Sequence, residues 1–253
     1  MLKGGIMDNS VHTPGSEPPK KISLSKNERE SLGERIISAV NSQRDALPLL
    51  QPILDAKCPF RQLDDIGAYI GKGLIDRLDV LFGLCDTIVE YNAMGGFVIV
   101  GHALLEGLPY RFDTVMEKSR EYIIQGDIWY VCDIIGERSI GHAVVNYFDK
   151  SLPWLKTFLE DENTWVKRSS GVAIHFFSKR VLDEPEKTKI LLEVIEPYLE
   201  EKHINVVKGI GWGLKTIGRH HPDLLVEFME KQKGRDMSKV LVRKAFTYVD
   251  KEN

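Results

Sequence analysis

Val206-Val207-Lys208-Gly209-Ile210-Gly211-Trp212-Gly213-Leu214-Lys215 carries two messages at once. At 100° per residue, Val207, Ile210, Leu214 and Ile217 line one side of a helix from Val206 to Arg219. Lys208, Trp212, Lys215 and Arg219 gather on the far side. The Val-Lys opening also recurs, since Val166-Lys167 precedes it by 41 residues and Val242-Arg243 follows it by 35. Two of the three are preceded by a short helical pattern begun by Pro: Pro153-Trp154-Leu155 and Pro222-Asp223-Leu224. A short helix, a tight turn and a helix opening on Val-Lys or Val-Arg, with a period near 40, is a pattern of stacked helix pairs.

This unit resembles the HEAT repeat. The expected fold is all-α, a HEAT-like α-solenoid of antiparallel helix pairs, with an irregular helical bundle as the alternative. The rest of the chain agrees with it. Ser25-Lys26-Asn27-Glu28 has the spacing of a capping box, and Leu32, Ile36 and Val40 follow at helical intervals. Strict alternation is absent, and Pro153, Pro185 and Pro222 read as helix starts, where a missing N–H costs nothing. Residues 1–21, rich in Gly, Pro, Ser and Lys, read as a disordered tail, leaving 22–253 as a single helical domain.

Composition narrows the function. With 43% hydrophobic and 28% charged residues the chain is an ordinary globular one, and no apolar run is long enough to cross a membrane. Residues 1–21 lack the apolar core of a secretory signal, and Cys58, Cys85 and Cys132 are too few and too far apart for a disulfide framework. Both point to the cytoplasm. The net charge is −3, yet residues 161–253 hold 17 Lys and Arg against 15 Asp and Glu. An anionic ligand belongs on that C-terminal third.

Two helix faces stand out there. Around Ile128–Ile135, the stripe of Ile128, Val131, Cys132 and Ile135 belongs to the core, which turns Trp129 and Asp133 together toward the opposite side. The Lys208, Trp212, Lys215 and Arg219 face repeats the arrangement with opposite charge. Cations around an outward Trp suit phosphates and a flat or sugar ring. In the helix opening at Trp165, Arg168, His175 and Lys179 share the polar side, while Trp165 belongs with the apolar one. Plain alternatives exist: either Trp can pack against a neighbouring repeat, and a basic face can be merely solvated.

Other chemistries lack their signatures. The sequence has no HExxH, no CxxC pair, no Walker-type loop and no GxSxG. His220-His221 stands before Pro222 as a helix start, without the companions a zinc site needs. No metal and no cofactor are expected.

Asp127-Ile128-Trp129-Tyr130-Val131-Cys132-Asp133, then Trp165-Val166-Lys167-Arg168, then Lys208-Gly209-Ile210-Gly211-Trp212-Gly213-Leu214-Lys215 resemble, in order, motifs of the AlkD-like DNA alkylation-repair glycosylases. The likeness covers roughly residues 115–250, and residues 60–108 look divergent. It implies a basic groove holding duplex DNA and hydrolysis of the N-glycosidic bond of N3- and N7-alkylated purines. It makes Asp133 the catalytic carboxylate, Trp129 and Trp212 walls against the damaged nucleotide, and Arg168 a contact to DNA or to Asp133's surroundings. Lys208, Lys215, Arg219 and Lys179 complete the expected DNA-binding set, on a monomer. Where the family usually has Arg, this chain has Lys215, which keeps the charge but loses the two-pronged fork. Two other readings remain: a HEAT-like protein that grips damaged DNA without cleaving it, and a protein–protein scaffold.

Overall fold

A computed structural model describes residues 20–249. Among these the chain is helical: α1 (Lys26–Asn41), α2 (Leu47–Leu54), α3 (Phe60–Gly73), α4 (Leu78–Glu90), α5 (Met94–Gly107), α6 (Phe112–Gly126) and α7 (Trp129–Ile135). A π-helical segment, Gly136–Gly141, joins α7 to α8 (His142–Asn146). There follow α9 (Phe148–Glu160), α10 (Thr164–Ser178), α11 (Pro185–Ile195), α12 (Ile204–His220), α13 (Pro222–Lys231) and α14 (Lys239–Ala245). The described residues hold no named strand; the one β-bridge pairs Lys21 with Lys57. No described helix is long and apolar enough to cross a membrane.

The organisation is a stack of helix pairs in which every second helix packs against its counterpart in the next pair. Glycines mark the crossings. Gly33 of α1 lies against Tyr69 of α3, and Gly67 of α3 lies against Ile99 and His102 of α5. Gly101 of α5 lies against Ile135 and Arg138, Gly136 against Val172 of α10, and Gly211 of α12 against Lys244 of α14. Partners sit roughly 35 residues apart along the whole row, so these helices run parallel to one another at the spacing of a repeat. At the crossing of α10 on α12 a Cβ on Gly171 would collide with the backbone of Gly209. The intervening helices α2, α4, α6, α9, α11 and α13 return the chain and complete each pair.

Residues 60–108, divergent in sequence, are thus ordinary members of the stack. Ser25 caps α1 through the expected capping box, accepting from the Glu28 N–H while Glu28 accepts from the Ser25 N–H. Pro185 and Pro222 open α11 and α13 as expected. Pro153 does not open a helix. Tyr147 lets the chain turn into α9 already at Phe148, so Pro153 lies inside that helix. The Val-Lys and Val-Arg pairs lie within the first turns of α10, α12 and α14 rather than at their first residues. Of the tail read over 1–21, residues 1–19 lie outside the described residues. Lys20 and Lys21 are extended against residue 57, through Lys57 N–H to Lys20 O and Ile22 N–H to Lys57 O.

The crossings make a paired prediction. Gly171→Ala should force α10 and α12 apart and lower stability by about 1–3 kcal/mol. Gly83→Ala, on the open face of α4 where a Cβ meets nothing within 4 Å, should raise it by about 0.5–1 kcal/mol. Urea unfolding of both variants, at unchanged m-value, checks the signs.

Candidate nucleic-acid interface and carboxylate site

Helix α7 starts the site. Ile128, extended, ends the turn after α6, and Val131, Cys132, Ile134 and Ile135 bury the inward face of the helix. Trp129 and Asp133 are left on the outward side, as their spacing predicts. Trp129 is 42% exposed and makes a T-shaped contact with Tyr130, with ring centroids 5.9 Å apart. Trp129 thus gives up part of its hydrophobic burial and lies outside the core.

Asp133 is held by Arg168 of α10 in a two-pronged pair. Arg168 Nε donates to Oδ1 at 2.8 Å and Nη2 to Oδ2 at 2.9 Å. A third donor, Nη1, reaches the Asn205 carbonyl at 3.4 Å. Arg168 is 8% exposed, and its backbone and stem lie against Gly209. The guanidinium is therefore committed to Asp133, and it orients the carboxylate instead of facing solvent as a phosphate contact. Burial pushes the Asp133 carboxyl above its usual range despite Arg168, with Glu137 pushing the same way and His175 opposing.

Glu137, one turn on in the π-helical segment, is a second carboxylate of this surface that the sequence reading did not single out. Its Oε1 accepts from Lys179 Nζ at 3.1 Å and lies 3.6 Å from His175 Nε2. Burial alone would raise its pKa, but His175, once its ring is protonated in acid, and Lys179 outweigh burial and bring it down to about 2. Lys179, expected on the DNA-binding face, is thus engaged with Glu137 and with His175 Nε2 at 3.1 Å. Arg168, His175 and Lys179 do share a side of α10, as expected, yet Arg168 and His175 are buried. Neighbouring helices flank α10 on two sides, so nearly all of its circumference from Val166 to Ser178 is covered.

Helix α12 contributes the opposite wall. Trp212 is half-buried, and its ring stacks on His175 with centroids 4.0 Å apart and planes 21° from parallel. Trp129, Asp133 and Glu137 follow one another at four-residue spacing along α7 and the π-helical segment, and Glu137 adjoins His175 of α10, which stacks on Trp212 of α12. Beyond Trp212 the charge turns positive. Lys208 and Arg219 are exposed and Lys215 is half-buried, with Lys215 and Arg219 at 5.3 and 5.4 Å from the Tyr248 ring centre. Lys244 of α14, which sequence reasoning missed, lies with its stem against Gly211. Burial lowers its pKa, and so do Lys215, Arg168, Lys208 and Arg243 around it. A lysine pressed among cations is a place where a phosphate would relieve repulsion. The Val242-Arg243 repeat pointed at this helix, but not at the residue after it. Among the described residues, no group of three or more His, Cys, Asp or Glu could hold a metal ion.

Comparison with known proteins bears on the family and the fold. The DNA alkylation repair enzymes match residues 76–249. None of the curated proteins matches. Among solved structures, a predicted DNA alkylation repair enzyme from Enterococcus faecalis superposes with a TM-score of 0.61 at 18% identity, covering 87% of this chain and 96% of that one. The Pseudomonas fluorescens alkylpurine DNA glycosylase AlkC, bound to DNA containing an abasic site analog, superposes with a TM-score of 0.58 at 16% identity. That match covers 88% of this chain, which spans 63% of the AlkC chain. At these identities the superpositions speak for the all-helical fold alone. The match over residues 76–249 carries more: the chain belongs to the DNA alkylation repair enzyme family.

Proposed function

We propose that this protein is a DNA glycosylase that hydrolyses the N-glycosidic bond of cationic N3- or N7-alkylated purines in duplex DNA. The observation that carries the reading is the joined surface of Trp129, the Arg168-held Asp133, and Trp212 on its His175 base. The family and the AlkC-type neighbour, a glycosylase seen on DNA, support it.

The chemistry asks little of such a site. An alkylpurine that already carries a positive charge leaves readily: the C1′–N bond breaks and its electron pair neutralises the base. Positive charge then develops on the deoxyribose, as in glycoside hydrolysis. A fixed carboxylate facing that sugar stabilises the charge and orients the water whose oxygen bonds to C1′, its proton passing to solvent. Asp133 takes this role, its orientation set by Arg168. Trp129 and Trp212 are the flat walls against the sugar and backbone. Lys208, Lys215, Arg219 and Lys244 take phosphates, while Arg168 and Lys179 act from behind by fixing Asp133 and Glu137. No metal or organic cofactor enters, and one monomer supplies every group.

One observation favours a second reading. Both Asp133 oxygens are occupied by Arg168, which offsets the carboxylate charge. A protein that binds alkylated DNA on the same surface without cutting it has that property too.

Two outcomes test the proposal, and a third tests the ion pair beside Asp133. Asp133→Asn, which keeps an oxygen for Arg168 but loses the charge, should slow single-turnover release of 7-methylguanine by about 10²–10³. DNA affinity should hold or rise. Release at the parent rate removes Asp133 from the mechanism, and binding without release by the parent favours the second reading. Lys215→Ala and Lys244→Ala should each weaken binding across sequences and lower the salt slope by about one; unchanged slopes would make the basic face ordinary surface. Glu137 gives a pH test. Its folded pKa lies below its ordinary 4.5, so its stabilisation is complete above that value and fades as pH falls toward about 2. Glu137→Gln should therefore cost on the order of 1–3 kcal/mol at pH 7, and the two unfolding curves should converge in acid. A deficit that does not change with pH would contradict the ionised pair.

A further inference from the structure

The geometry points to His175 as a positioning residue of this site: a neutral imidazole, tied to Thr216 and Lys179, that backs the Trp212 indole and fixes the plane it offers to the nucleotide. This rests on Trp212 being a wall of the substrate surface.

The protonation state follows from the partners on each side of the ring. Thr216 Oγ1 donates its proton to the Trp212 carbonyl at 3.0 Å, one turn back in α12. Toward His175 Nδ1, 2.6 Å away, that oxygen is left to accept, so Nδ1 carries a hydrogen. On the other side, Nε2 lies 3.1 Å from Lys179 Nζ, which can only donate. Nε2 must therefore be bare. Two independent neighbours select the same neutral tautomer, and the ring, 9% exposed, is locked edge-on at both nitrogens.

The lock reaches Trp212 twice. The imidazole lies under the indole at 4.0 Å, and Thr216, which His175 engages, holds the carbonyl of Trp212 itself. A second proton would break this arrangement, since an Nε2–H would point at the Lys179 ammonium. Lys179 or the ring would have to move, with Glu137 Oε1 at 3.6 Å the acceptor nearby. The groups acting on the ring are Asp133 and Glu137 from the α7 and π-helical segment, Lys179 and Arg180 from the turn that ends its own helix, and Thr216 and Trp212 from α12. Burial favours the neutral form, and Lys179 and Arg180 add to it against Glu137. A neutral His175 also keeps an extra cation away from a sugar that turns positive in the transition state.

The test combines emission with catalysis. Trp212 fluorescence, taken as the difference between the parent and Trp212→Phe, should stay constant near neutral pH. It should be quenched only below about 6.5, the ordinary histidine value, because an imidazolium against the ring face quenches indole emission. His175→Phe should abolish that titration while keeping a flat base. His175→Ala should red-shift Trp212 and slow single-turnover excision on the order of tenfold, with a smaller change in DNA affinity. His175→Phe should recover part of that rate. Trp212 emission in His175→Ala identical to the parent, or an acid titration that persists in His175→Phe, would overturn the assignment. If the parent titrates as expected and binds DNA but releases no base, His175 still sets Trp212 for the nucleotide and the glycosylase reading is what fails.

Discussion

The approach of α10 to α12 at Gly171 and Gly209 governs the rest of the site. With no side chain at either position, the two backbones meet, and the stem of Arg168 lies flat across Gly209. From there its guanidinium reaches back to Asp133 on α7 and sideways to the Asn205 carbonyl. The same closeness sets His175 under Trp212 at stacking distance and places its Nδ1 on Thr216. Wider spacing between these helices would release both tryptophan and carboxylate from their supports. The proposed role, stabilising charge that develops at one sugar, needs that rigidity, because electrostatic stabilisation depends on groups oriented before the reaction begins.

Electrostatics then divides the surface in two. Asp133 and Glu137 form an acidic strip, the first countered by Arg168 on α10 and the second by Lys179 at the C-terminal cap of that helix. Past Trp212, Lys208, Lys215, Arg219 and Lys244 form a basic strip across α12 and α14. A duplex carrying a cationic base presents the complementary pattern, with phosphates for the basic strip and a positive nucleotide for the acidic one. The net charge of −3 obscures this division, since Asp and Glu outnumber Lys and Arg over residues 1–160 and outweigh the basic strip in the total.

Much of this arrangement was legible in the sequence, for physical reasons that also set the limit. Helical periodicity says which residues share a face, so the Trp129–Asp133 pair and the Lys208–Trp212–Lys215 face could be read directly. It cannot say which second helix covers a face. His175 and Arg168 therefore read as polar-side residues, although the neighbours of α10 bury them. The π-helical segment has no residue-type signature, and Glu137 went unnoticed inside it. The early repeats lack the Val-Lys opening and keep only glycines at their crossings, such as Gly67 and Gly101. Those are informative once the partner helix is known. Lys244 was hidden for the same reason, since its significance lies in four cations brought from three helices.

In the proposed mechanism the surface supplies charge stabilisation and no general acid, so it should act only where the leaving base is already cationic. The direct measurement is chromatographic detection of free base from two duplexes identical except at one position, one carrying 7-methylguanine and the other uracil. The account predicts release of 7-methylguanine and none of uracil. Release of uracil at a comparable rate would contradict it, because a neutral base needs a proton that neither Asp133, held by Arg168, nor the ionised Glu137 is placed to give.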